Sequence, residues 1–442
     1  MDRSITVDRF SVDVAGTTED PLRTHTHAHA QIADDDGVRG TAPASGRMRI
    51  VLALVLAPLA LATVIGLVLL WPGQADRPAA GPRPAPAIVH PEATVLAISP
   101  YKCPAINQRP GPDSPPRMVT CANTEVRVET GPDQGQRLNV EVPAESYRAG
   151  MQIGDRIRLT RMFDHSDGPA AYAFHDYARQ TPIGVLAIGF AVVVVAVARL
   201  RGLAALLGLG LAALVLLGFM LPALLAGESP LLVGLVGSSA IMFVVLYLAH
   251  GFSVRTTTAL AGTLFGLLAT AGLGVWAVNA ARLTGLADGE GVALTALNGR
   301  VDLSGLVICG TIVAGLGVLN DVTITQSSAV WELHELSPDR SARELFSSAM
   351  RIGRDHIAST VYTIAFVYAG ATLPILLLID TYGRPLLDVI GTEAVAEEVV
   401  RTLVGSIGLV LAIPLTTAIA VAVVKSPLTR DRTEPSPATD HA

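Results

Sequence analysis

Eight runs of roughly 20 apolar residues punctuate the chain, near positions 50–70, 183–199, 203–225, 231–249, 257–279, 303–326, 357–379 and 400–424. A helix rising 1.5 Å per residue needs about that many to cross about 30 Å of hydrocarbon, so the pattern predicts eight transmembrane helices. The first run begins almost 50 residues in, and its exit through Trp71 and Pro72 shows no small-residue cleavage site. It therefore reads as an uncleaved anchor rather than a secretory signal.

Between the first two runs the period changes from helical to alternating. EATVLAI, TEVRVET, RLNVEV, DRIRLTR and AYAFHDYAR are short strand-like pieces, and GPDQG, Gly131 to Gly135, reads as a turn between two of them. Residues 92–180 are thus expected to form a small β domain, a sandwich or a barrel, with an OB-like barrel among the options. The expected architecture is mainly α: a polytopic helical membrane protein with a small extracytoplasmic β domain. Ahead of that domain, residues 72–91 (PGQADRPAAGPRPAPAIVHP) form a semi-rigid Pro/Ala-rich linker, because proline fixes its own φ and offers no N–H. Residues 1–46, with THTHAHA and DDD, and residues 425–442 lack either period and read as disordered tails. His25, His27 and His29 can bind a transition metal weakly, without a dedicated site being implied. Residues 183–424 remain as a seven-helix membrane domain.

Composition agrees with this reading: of 442 residues 50% are hydrophobic and 16% charged, and mean hydropathy is +0.48. That is too apolar for an ordinary soluble enzyme. The formal charge of -6 comes with no long Lys/Arg block, which excludes a nucleic-acid surface. Charge placement sets the expected topology. Arg39, Arg47, Arg49, Arg199, Arg201, Arg255, Arg340, Arg343, Arg351, Arg354, Lys425, Arg430 and Arg432 all fall on one side when eight spans are threaded alternately. The opposite loops carry Glu228, Asp288, Glu290, Asp380, Asp388, Glu393, Glu397 and Glu398, with scattered Arg282, Arg300 and Arg384. Both termini are expected in the cytoplasm and residues 72–182 outside. Cys103 and Cys121 fall in that outside segment, where a disulfide is permitted; it would contribute about 3 kcal/mol in the chain-entropy model. The alternative is two small buried thiols.

The least ordinary polarity lies in GLGVLNDVTITQSSAVWEL, Gly315 to Leu333, where Asn320 and Asp321 interrupt an apolar run. On an unbroken helix Asp321, Thr325, Ser328 and Glu332 fall within about 60° of one another and line one face. Ionised Asp near mid-bilayer costs about 2.5–3.5 kcal/mol on insertion scales, so it calls for a partner or a hydrated cavity. Asp321 either caps a broken helix or pairs with an arginine such as Arg354, or it forms an ion or proton site. Across the next connection, in IGRDHIASTVYT, Asp355, Ser359 and Thr363 are spaced by four, so two facing polar stripes could line a cytoplasm-facing vestibule. His356 can titrate near neutral pH. The connection itself, residues 334–355, suits an interfacial amphipathic helix, with Ser337 as its cap, Pro338 at its first position and Leu345, Phe346, Met350 and Ile352 on its apolar side. GTLFG, Gly262 to Gly266, has the GxxxG spacing of closely packed membrane helices.

GFSVRTTTALAGTL (251–264), LSGLVICGTIVAGLGVLNDVTITQSSAVWEL (303–333) and ELFSSAMRIGRDHIASTVYTIAFVYAGATLPILLL (344–378) together resemble the YibE/F-like family of bacterial multi-pass membrane proteins. The resemblance covers roughly the last half of the chain and falls on Gly251, Arg255, Thr256, Gly317, Asp321, Ser327, Ser328, Glu332, Gly353, Arg354 and Asp355. It implies a permease-like protein of the cell membrane and leaves the substrate open. A glycine-rich helix ending in Asn-Asp, then a short loop and a helix opening on hydroxyls, is also similar to the proton-coupled module of RND-type transporters; the extra spans and the small outside domain depart from it.

These readings converge on a permease or transport-associated protein. Its path candidates are Asn320, Asp321, Thr325, Ser328, Glu332, Arg354, Asp355, His356, Ser359 and Thr363. The expected partners are the lipid bilayer, a small solute or ion and an extracytoplasmic protein, and no cofactor or metal is expected. The alternative is a non-transporting assembly or sensory protein whose outside domain binds a partner. No HExxH, GxSxG or paired Cys/His motif occurs, so an enzyme is not expected; an aspartyl-type site from Asp321 and Asp355 is the most distant option.

Overall fold

A computed structural model describes residues 46–73, 90–105, 117–162, 171–287, 289–297, 299–381, 383 and 385–426. The N-terminal tail as far as residue 45, with His25, His27 and His29, lies outside the described residues, as do linker residues 74–89 and the C-terminal tail from 427 onward.

The chain opens with α1 (Gly46–Leu69) and then forms five strands: β1 (Glu92–Pro104), β2 (Met118–Val128), β3 (Arg137–Val142), β4 (Arg156–Met162) and β5 (Ala171–Tyr177), with the short α2 (Ala144–Arg148) after β3. All neighbours are antiparallel, in the order β3-β2-β1-β4-β5. Alternation explains the core: Ala93, Val95, Val126, Val128, Val140, Val142, Ile157 and Leu159 point inward, with Tyr172, Phe174 and Tyr177 of β5 packed against them. Tyr172 also hydrogen-bonds Asp133 of the β2–β3 turn, and Tyr177 donates to Ser146 O of α2 at 2.7 Å, so the last strand is tied back toward the middle of the chain. A disulfide joins Cys103 to Cys121, with Cα atoms 5.9 Å apart.

The helical part follows as α3 (Gln180–Val215), a π-helical turn (Leu216–Met220), α4 (Leu221–Ala226), α5 (Pro230–His250), α6 (Val254–Ala281), α7 (Gly289–Leu297), α8 (Leu303–Leu336), α9 (Ala342–Ala371), α10 (Leu373–Thr381), α11 (Leu386–Ile390) and α12 (Glu393–Val424). Among the described residues six helices are long and apolar enough to cross a membrane, or seven if the bent pair α9 and α10 is one span. Eight separate runs were expected, and the difference has two causes. The expected spans 183–199 and 203–225 are joined without a loop into a helical run over residues 180–226, which leaves helical geometry only at Arg199 (φ 52, ψ -132). That break brings Gly202 against the Val194 carbonyl, leaving no room for a Cβ, whereas eight residues of straight helix would hold them about 12 Å apart. The expected span 357–379 bends by 61° after Ala371, where Pro374 has no N–H to continue the ladder.

The amphipathic connection also differs from expectation. α8 continues to Leu336, and the helix after it starts from a capping box in which Ser341 and Glu344 satisfy each other's backbone N–H; Ser337 does not cap it. α9 then runs unbroken into the membrane-type segment. Its Leu345 and Ala349 are buried against Val330 of α8 and Ala420, Val421 and Val424 of α12, so this side packs on protein.

The helical core sits where α6, α8 and α12 meet, around Leu260, Leu264, Leu267, Ile312, Leu319, Leu409 and Ile413. The GTLFG spacing performs the close approach expected of it. A Cβ on Gly262 would collide with Thr416 Oγ1 of α12, and one on Gly266 with Leu319 of α8.

Candidate functional site

α8 begins where the Asp302 carboxylate accepts the Gly305 N–H at 3.0 Å, and it runs for 34 residues, about 51 Å. That exceeds the hydrocarbon thickness, so one end projects or the helix tilts. Each step of 100° sorts its polar residues onto two faces. On the inner face Thr323, Gln326 and Ser327 are buried and paired. Thr323 Oγ1 lies 2.6 Å from Thr263 Oγ1 of α6. Gln326 Nε2 donates to Ala349 O of α9 at 3.0 Å and to Thr417 Oγ1 of α12 at 2.8 Å, and Ser327 Oγ donates to Arg255 O at 2.9 Å. One amide thus joins three helices.

The outer face carries the expected stripe: Asp321, Thr325 and Glu332 are exposed and Ser328 is half-buried. Asn320 lies at its edge with Oδ1 buried and without a hydrogen-bond partner among the described residues. The only ion-pair geometry to Asp321 among the described residues is with His356 of α9, Oδ2 to Nε2 at 3.6 Å, with the side chains 69% and 29% exposed. That separation is too long for a hydrogen bond but short enough for attraction when the imidazole is protonated. Arg354, the partner first expected for Asp321, lies on the exposed side of α9.

The two stripes do not face each other. Gly353 sets the rotation of α9, because its Cα packs against Ile413 and Gln326 with no room for a side chain. Gly353 and Ile364 point inward, His356 and Thr360 fall on the half-buried edge beside α8, and Asp355, Ser359 and Thr363 point outward. Thr360 and Thr363 bond the carbonyls of His356 and Ser359 one turn back, at 2.8 and 3.0 Å, which satisfies their hydroxyl donors within the helix. The structure therefore places Asn320, Asp321, Thr325, Ser328 and Glu332 on one side of α8, with His356 of α9 beside Asp321. It leaves Arg354, Asp355, Ser359 and Thr363 outside this group.

A second polar group went unnoticed in the sequence. Arg401 and Glu398, one turn apart on α12, form a partly buried ion pair. The guanidinium lies beside Gly310 of α8, with Nη2 3.9 Å from where a Cβ would sit, and its Nε is buried without a hydrogen-bond partner among the described residues. Tyr368 of α9 is within electrostatic reach of both charges. The available signal was Arg401 itself, an ionisable residue inside the apolar run 400–424. Among the described residues no group of three or more His, Cys, Asp or Glu is placed to hold a metal.

A family model described as YibE/F-like protein matches residues 186–426, which is more than half of the chain and takes in α3 through α12 with both polar groups. Neither the curated proteins nor the solved structures provide a match.

Proposed function

The chain belongs to the YibE/F-like family, and on that footing we propose that it is a permease or transport-associated protein whose path runs along the outer face of α8, with Asp321 and His356 as its ion- or proton-coupling pair. The observation that carries this reading is the setting of Asp321. It is an exposed carboxylate on a helix otherwise packed among α5, α6, α9 and α12, and among the described residues its one ion-pair geometry is to the His356 imidazole at 3.6 Å. A carboxylate without a hydrogen-bonded partner at membrane depth is retained where water or an ion meets it. The transported species is a small solute or ion. Enzymatic activity and nucleic-acid binding form no part of the proposal.

In this reading the protein crosses the cell membrane eight times. Residues 180–226 turn back at Arg199, and α9 with α10 makes one bent crossing. The arginine-rich ends and both termini lie in the cytoplasm, and residues 72–182 lie outside; the Cys103–Cys121 disulfide supports that side, because such bonds persist in oxidising compartments. Purified protein in proteoliposomes tests the path: Asp321→Asn is expected to lower flux at least tenfold, and equal flux in both forms rejects the role of Asp321.

One observation favours a second reading, an assembly or sensory protein. β4 pairs with β1 only over Glu92–Thr94 and β3 with β2 only over Ala122–Arg127, so Tyr101–Pro104 and Met118–Cys121 continue as a two-stranded ribbon that carries the disulfide and exposes Tyr101 and Met118. A strand edge without a partner among the described residues can receive a partner's strand. Deleting residues 92–180 separates the readings. Retained flux favours the permease; loss of a bound partner with no flux in either form favours assembly.

A further inference from the structure

We propose that Glu398 and Arg401 form a second proton station, at the opposite end of the α8 face from Asp321. The inference rests on the path reading above and extends it along the helix. Gly310, Ala314, Gly317 and Asp321, spaced by four, three and four, share the face that also carries Thr325, Ser328 and Glu332. Arg401 lies over Gly310 and His356 faces Asp321, so the two groups are about 16 Å apart along α8.

Between them Ala314 and Gly317 are exposed, and among the described residues nothing lies within 4 Å of where a Cβ on Gly317 would sit. At each end a buried nitrogen, Arg401 Nε and His356 Nε2, has no hydrogen-bond partner among the described residues. Buried polar atoms are normally paired, with water where protein does not serve, so these nitrogens are two places where water is expected.

Packing does not account for the Glu398–Arg401 pair. Both residues are on α12, so their bond ties no two helices together, unlike the Gln326 bonds to α9 and α12. An ion pair partly removed from water costs desolvation that its own attraction barely offsets. The charged and titratable groups around Glu398 are Arg401 and its chain neighbour Glu397 on α12 and Tyr368 on α9, while α8 contributes Gly310. A metal cation would require several oxygens converging on it, whereas a proton requires one carboxylate.

In the inward direction the Glu398 carboxylate takes a proton from the outer side, forming a carboxyl O–H and releasing the guanidinium. The O–H then breaks, the proton passes through water along the exposed face of α8 to the Asp321 carboxylate, and Arg401 pairs again with Glu398. The proton moves whole and no electrons change hands.

The test uses full-length protein in liposomes loaded with a pH-sensitive dye and given a step in external pH. Glu398→Gln is expected to cut proton flux at least tenfold, and Arg401→Lys to keep flux but move the external pH at which it is half-maximal. Wild-type rates and pH profiles in both variants overturn the station while leaving Asp321 in place. Flux in the wild type driven by a sodium gradient at constant pH overturns the proton assignment. No wild-type flux of any kind overturns the path reading, and this inference with it. Should Glu398→Gln fail to fold, a chain carrying Cys309→Ser and Gly317→Cys supplies the reading. Labelling of Gly317→Cys by a charged, membrane-impermeant thiol reagent is expected, and its absence from either side overturns the hydrated connection.

Discussion

The inner and outer faces of α8 carry polar side chains through the same few turns, and they are treated oppositely. Thr323, Gln326 and Ser327 each find a partner on another helix and are buried. Asp321, Thr325 and Glu332, within the same turns, are exposed, and among the described residues the carboxylate of Asp321 meets only an imidazole, at 3.6 Å. Polarity within an apolar helix therefore has two meanings, and the partner list separates them. A satisfied group on the packed side holds helices together; an unsatisfied group on the open side is available to water, an ion or a proton.

Substitutions on the packed side should be costly for stability and leave the proposed flux per folded molecule unchanged. Gly262→Leu should have the largest effect. Thr416 of α12 fills the space the side chain needs, and forced overpacking of this kind costs about 3 kcal/mol, read as a lowered unfolding midpoint in detergent. Gln326→Ala comes next, at about 2 kcal/mol. It removes two interhelical hydrogen bonds and leaves the Ala349 carbonyl and Thr417 hydroxyl without their shared donor. Thr263→Val should cost less, about 0.6 kcal/mol, because the Thr263 and Thr323 hydroxyls share two hydrogens among three contacts, and with Thr263 gone Thr323 still donates to the Leu319 carbonyl of its own helix. A Gln326→Ala protein as stable as the wild type would show that the inner face is not the glue it resembles.

How far these distinctions could be seen in advance depended on the physical scale of each signal. Membrane crossing is a property of length and hydrophobicity, so the apolar runs stood out. The break at Arg199 did not, because one residue with φ 52 makes it and needs no polar loop. The β domain was legible from period-two alternation, which its buried valines follow. The polar stripe of α8 was legible because 100° steps on one unbroken helix put Asp321, Thr325, Ser328 and Glu332 together. Its partner was not, because which residue of α9 faces α8 depends on a rotation that Gly353 sets by packing on Ile413 and Gln326. A helical stripe says which residues share a face and nothing about where the face points. The cap of α9 was readable as Ser341-x-x-Glu344, but Ser337 and Pro338 gave a competing start signal that the extra turns of α8 overrode. Glu397 and Glu398 precede the apolar run in the sequence, where they look like loop charges, but α12 starts at Glu393 and draws Glu398 into a partly buried pair with Arg401.

The smallest stability effect is expected on the outer face, where the comparison with the inner face is sharpest. Asp321→Asn keeps the shape of the side chain and removes its charge. Asp321 makes no hydrogen bond to another helix among the described residues, and its single ionic neighbour is His356 at 3.6 Å, so the unfolding midpoint should move by no more than about 0.5 kcal/mol of equivalent stability. Unfolding midpoints of wild type and variant measured side by side check this. A loss as large as that of Gln326→Ala would instead place Asp321 among the residues that hold α8 in the bundle, and the division of the helix into a packed face and an open face would fail at its central residue.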